Sequence, residues 1–134
     1  MTPKPLTLGS YARDVMAVED IVNICRALLK THAPAKAARF ETAKPSLTVA
    51  HRLFVALNTL VPPFSYWGHH PSDVSHLGVW IDLGKLHDAE ESGKLVQAGY
   101  RDAKGVKAVY VLVPESDGLV LYHRKSGREV WRTT

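Results

Sequence analysis

Four side chains between Tyr66 and Trp80 have the types and spacing to hold a metal ion or move a proton: His69, His70, Asp73 and His76. They sit in the run His-His-Pro-Ser-Asp-Val-Ser-His. Pro71 suits the first position of a helix and Gly78 the residue just past its end, so the spacing predicts a helix of two turns over residues 71–77. On it, Asp73 and His76 face one way, with His69 or His70 near the N-terminal end. Imidazole and carboxylate donors so placed suit a divalent transition metal (zinc, nickel or iron), with Asp82 or His87 as a further ligand. One histidine alone would serve as a general acid or base.

The competing reading of this stretch is architectural. It makes the segment a tight junction between a helical half and a sheet, in which Trp67 and Trp80 bury their rings and Gly68 takes a positive φ. His70 or Ser72 then caps a short helix, and Asp73 bonds local amides. The spacing is not that of a His-Glu-x-x-His zinc helix and completes no facial triad. The architectural reading therefore leads: no catalytic residue and no cofactor are assigned, and a metal on His69, His70, Asp73 and His76 stands as the alternative.

Other catalytic templates fit less well. The chain has neither a phosphate-binding glycine loop nor a G-x-S-x-G elbow. Its lone cysteine, Cys25, lies on the apolar stripe of a predicted helix, where it packs and cannot act as a nucleophile. Glu90 and Glu91 are helical neighbours that diverge by about 100° and mark a solvated face.

Binding chemistry is better served at the chain end. Tyr122, Arg124, Arg128, Trp131 and Arg132 fall on adjacent predicted strands, and arginine with aromatic residues is the composition of protein-interface hot spots and of base-stacking surfaces. The plainer alternative packs Trp131 inward and leaves the arginines to keep an edge strand soluble.

The elements around these residues follow from periodicity. The 134 residues suit a single domain, with an irregular arm over 1–12, a helical half over 13–61 and a mixed half over 62–134. Helical spacing of Val18, Ile21, Val22, Cys25, Leu28 and Leu29 predicts a first helix from about Ser10 or Asp14 to His32. A short alanine-rich helix covers residues 35–40, and a further helix starts at Pro45 or Ser46 and runs to Val61. After an extended segment over 78–83, Asp82 caps a helix that Gly93 stops. Apolar runs at 106–113, 119–124 and 128–133, parted by turn residues, predict an antiparallel meander. The fold class is α+β, with N-terminal helices packed on a C-terminal antiparallel sheet of three or more strands.

A formal charge of +4 permits contact with nucleic acid or an acidic protein surface, but the basic residues are scattered singly and thicken only over 124–132. No apolar stretch reaches bilayer length, and the N-terminus lacks a secretory or transit pattern, so a cytoplasmic location is expected. The breadth of the stripe on the 46–61 helix also permits a homodimer.

The segments Leu60-Val-Pro-Pro, Phe-Ser-Tyr-Trp-Gly-His-His-Pro-x-Asp, Leu77-Gly-Val-Trp and the ending Leu-Tyr…Glu129-Val-Trp131 resemble small accessory proteins of phages and other mobile elements, over residues 47–134. The resemblance implies a setting and no site residues: binding and blocking a host component, including defence nucleoproteins such as CRISPR effectors. The expected function is thus a non-enzymatic protein-binding module that inhibits a host protein or nucleoprotein complex. A nucleic-acid-binding protein and a small metal-dependent enzyme are the alternatives.

Overall fold

The computed structural model describes residues 3–97 and 108–133. Its helices and two sheets make an α+β protein. The chain divides into two compact units, residues 1–80 and 81–134.

In the first unit, helix α1 (Val18–His32) buries Val22, Cys25 and Leu29, the centre of the stripe seen in the sequence. It starts later than the expected Ser10 or Asp14, because Ser10 is in a strand and Asp14 has a left-handed backbone at φ 57°. Glu19 and Asp20 in its first turn and Lys30 and His32 in its last match the helix dipole. Pro34 opens a short helix, α2 (Pro34–Ala37), which tightens into a 3-10 turn over Ala38–Phe40. Helix α3 (Leu47–Leu57) begins where Ser46 Oγ accepts the Val49 N–H at 3.1 Å. It stops at Asn58, short of the expected Val61.

Residues 3–8 of the N-terminal arm form no helix or strand, yet the arm is anchored. Its backbone is tied by Lys4 N–H to the His32 carbonyl and Leu6 N–H to the Leu60 carbonyl, each at 2.8 Å, and Leu6 is fully buried. Residues Gly9–Ala12 then form strand β1. Pro3, Pro5 and Gly9 masked this in the sequence; Leu6, with no periodic neighbours, gave no pattern to read.

Strands β2 (Ser65–His70) and β3 (Asp73–Ile81) join β1 in a three-stranded sheet of order β1-β3-β2. Strand β1 runs antiparallel to β3, with Gly9 opposite Val79 and Ser10 opposite Gly78. Alternation along β3 sends Leu77 and Val79 to the helices, where they share one core with Val22, Cys25, Leu29, Leu53, Leu57 and Trp67.

The second unit opens with α4 (Leu83–Glu91), capped by Asp82 and closed by Gly93 at φ 80°, as the sequence indicated. Strands β5 (Tyr110–Glu115), β6 (Gly118–His123) and β7 (Glu129–Arg132) make the expected antiparallel meander. Val106 and Lys107, expected in its first strand, lie outside the described residues. A further strand, β4 (Leu95–Gln97), pairs parallel to β5; three residues are too few to show an alternation in the sequence. Among the described residues no helix is long and apolar enough to cross a membrane.

Candidate functional site

The stretch from Tyr66 to Trp80 is a β-hairpin, and the helix expected over residues 71–77 does not form. Pro71 and Ser72 are the turn between β2 and β3. A Pro N-terminal and a Gly C-terminal to a short run fit a helix and a hairpin equally well. What decides is the partner strand β1, sixty residues away, which gives β3 an edge to pair with.

Alternation in β2 splits the candidate ligands. His69 follows Trp67 onto the helical side, with its ring 5.5 Å from Phe54, and its Nδ1–H donates to the Val74 carbonyl at 2.6 Å. His70 turns to the other side, where its ring lies 5.6 Å from that of His76 in a near-parallel stack. Trp80 meets both imidazoles edge to face, with centroids 4.7 and 4.9 Å away, and its indole N–H donates to the Gly68 carbonyl at 2.9 Å. Gly68 lies in strand β2 and is not among the described positive-φ glycines, so its expected role in a turn is replaced by accepting this bond.

The donor atoms are largely engaged. His70 Nδ1 accepts the Ser72 N–H at 3.0 Å, which places the ring proton of the neutral form on Nε2. Asp73 Oδ1 accepts from the Ser75 hydroxyl at 2.7 Å and the Ser75 amide at 3.0 Å. These two bonds, aided by the nearby His76 and His70, hold the Asp73 carboxyl below its ordinary range. Asp82 is spent on capping α4, and His87 pairs with Glu91 at 3.2 Å. Among the described residues no three His, Cys, Asp or Glu side chains are gathered to hold a metal. The proposed ligand set is therefore divided between two faces.

One juxtaposition was invisible in the sequence. His76 Nε2 lies 2.5 Å from Ser10 Oγ, a contact between residues 66 apart. Nucleophile and base are thus in reach, but catalysis also needs a group that orients the base. The described structure gives His76 no such carboxylate, since the only nearby one, Asp73, is bonded to Ser75. The pair instead pins β1 to β3.

Beneath the hairpin, Trp67 is the keystone of the first unit. Its ring meets Tyr11 and Phe54 edge to face at 5.7 and 6.1 Å. Asn58 clamps its backbone: Asn58 Oδ1 accepts the Trp67 N–H at 2.9 Å, and Nδ2 donates to the Trp67 and Phe54 carbonyls at 3.1 and 2.8 Å. A polar residue ending an apolar helical stripe is the sequence signal for this clamp. Burial pushes the Cys25 thiol up to about 12, and the Trp67 indole offsets this only in part. Its N–H makes no bond that meets hydrogen-bond geometry.

The arginine and aromatic set at the chain end is also divided. Trp131 pairs with Leu121 and is 5% exposed, while Tyr122 points to the other face, packed against Val111 and Val113. Arg124 is half-buried, its Nε–H donating to the Ala108 carbonyl at 2.6 Å. Arg132 is held by Glu129 at 2.6 Å and Glu115 at 3.6 Å. Arg128 is exposed. Trp131 is thus buried, Tyr122 and Arg124 are partly buried, and Arg128 and Arg132 lie at the surface.

Fold and site define a small α+β protein with a tryptophan-braced histidine hairpin. The sequence matches no protein-family model, no curated protein and no solved structure.

Proposed function

We propose that the protein is a non-enzymatic binding module for another protein, of the accessory kind that mobile elements use to inhibit a host defence nucleoprotein. The observation that supports this reading is the outer side of α3. Leu47 and Val55 are 76% and 56% exposed and stand two turns apart with His51 between them. Arg52 lies alongside, and α3 carries no carboxylate. An apolar ridge with basic flanks, on a chain of net charge +4, is complementary to an acidic protein face with an apolar centre.

The test is capture of partners from host extract by the immobilised protein, with L47D/V55D and R128A/R132A variants in parallel. An acidic protein retained after nuclease treatment and lost with L47D/V55D supports the reading. Retention that nuclease abolishes, or that depends on R128A/R132A and falls steeply with salt, replaces it with nucleic-acid binding.

A further inference from the structure

The turn between β6 and β7 gathers positive charge at one end of the second unit's sheet. Residues 124–128 read Arg-Lys-Ser-Gly-Arg, and the tip is closed by His123 N–H to the Arg128 carbonyl at 2.9 Å and Gly127 N–H to the His123 carbonyl at 2.8 Å. Gly127, at φ 68°, supplies the left-handed step that this closure needs. Arg124 is half-buried and fixed by its bond to the Ala108 carbonyl, while Lys125 and Arg128 are exposed. None of the three makes an ion pair among the described residues. The adjoining carboxylate is taken: Glu129 Oε1 accepts Arg132 Nε–H at 2.9 Å and Nη2–H at 2.6 Å, three residues further along β7.

We propose that this turn is a second contact surface, which grips the phosphate backbone of a nucleic-acid duplex without reading its bases. The inference rests on the reading of the protein as a module directed at a nucleoprotein: the α3 ridge addresses the protein component and this turn the nucleic acid. Guanidinium and ammonium groups pair with phosphate oxygens, and contacts of that kind position a protein without conveying sequence. An acidic protein face calls for an apolar or aromatic centre. Here Trp131 is buried, Tyr122 packs on Val111 and Val113, and Val109 is the one large apolar side chain exposed beside the turn among the described residues. Tyr110 and His123 are half-buried and packed edge to face on each other, which leaves no free ring to stack a base. A duplex, with the denser line of phosphates, therefore suits the turn better than a single strand.

Fluorescence anisotropy of a short labelled duplex of random sequence, with the purified protein, is the test. Three phosphate contacts predict that log K falls against log salt with a slope of about −2.7, and K125A/R128A, which removes two of them, should bring the slope to about −0.9. At about 50 mM salt the same two losses should weaken binding on the order of a hundredfold. L47D/V55D should bind the duplex as wild type does, whereas capture of a partner from nuclease-treated extract should depend on L47D/V55D and not on K125A/R128A, so each surface can fail alone. No binding at that salt, a slope unchanged in K125A/R128A, or polyglutamate bound as tightly as the duplex each overturns the proposal. A single strand preferred about tenfold over the duplex overturns the backbone-only grip.

Discussion

Gly78→Ala tests the architecture of the hairpin most directly. Gly78 is buried in β3 opposite Ser10 of β1. A β-carbon there would collide with the Gly9 carbonyl oxygen and would lie 2.7 Å from Trp80 Cζ2. The indole can swing aside, at the expense of its bond to the Gly68 carbonyl and its contacts with both imidazoles. The carbonyl cannot, because Gly9 is held in register against Val79. Overpacking a well-fitted site typically costs about 1–3 kcal/mol, and here a backbone atom must also give way, so about 2–4 kcal/mol is expected. That is a large part of the stability of a typical small protein.

Urea unfolding monitored by tryptophan fluorescence measures this cost, and hydrogen exchange of the β1 amides locates it. The variant should lose protection first in β1. Trp80→Ala in the same chain removes the movable obstacle and leaves the fixed one, so the double variant should recover little of what Gly78→Ala loses. A G78A protein within about 0.5 kcal/mol of wild type, or full rescue by W80A, would refute the close approach of β1 to β3.

The remaining expectations concern the groups around the hairpin. Asn58→Ala strips the buried Trp67 N–H of its acceptor and two carbonyls of their donor, and should cost about 2–4 kcal/mol; Asn58→Asp keeps the acceptor but not the donor, so it should fall in between in urea melts. The depressed Asp73 carboxyl stabilises the turn at pH values above the ordinary carboxyl range, and this is lost as pH falls through its lower folded value; a carboxyl NMR titration at or above the ordinary range would contradict the Ser75 bonds. With the Cys25 thiol raised from 9.0 to about 12, its neutral form stabilises the fold at lower pH, and that contribution drains away by up to about 1.4 kcal/mol per pH unit above 9. The stability of C25A relative to wild type should rise correspondingly, and a thiol reagent should label Cys25 only on unfolding. A fluorophosphonate should leave Ser10 unlabelled, because its histidine has no orienting carboxylate among the described residues; stoichiometric labelling would make the Ser10 and His76 pair a reactive site.

The elements that could be read in the sequence are those whose signals are local. The stripe of α1, the Ser46 cap of α3, the Asp82 cap and Gly93 stop of α4, and the turns of the C-terminal meander each declare themselves within about a dozen residues. The candidate site was less legible because its partners are remote. Ser10 meets His76 and Gly9 meets Gly78 across more than sixty residues, and no periodicity within either segment encodes that pairing.

A period-two pattern does run through the central stretch. Leu77 and Val79 alternate with His76, Gly78 and Trp80, and the first pair goes to the core while the second set builds the aromatic face. The proline and glycine that bracket residues 71–78 outweighed that alternation, since the same two residue types punctuate both helices and hairpins. Crowding of histidines follows from the hairpin. A turn brings residues 70 and 76 together across adjacent strands, and Trp80 then fills the space over Gly78, where a β-carbon would meet its ring. A cluster of ligand-type residues becomes a metal site only when their lone pairs converge. Here one imidazole turns inward and the lone pairs of His70 Nδ1 and Asp73 Oδ1 are taken by the backbone and by Ser75, so their proximity stabilises the turn and does not assemble a coordination sphere.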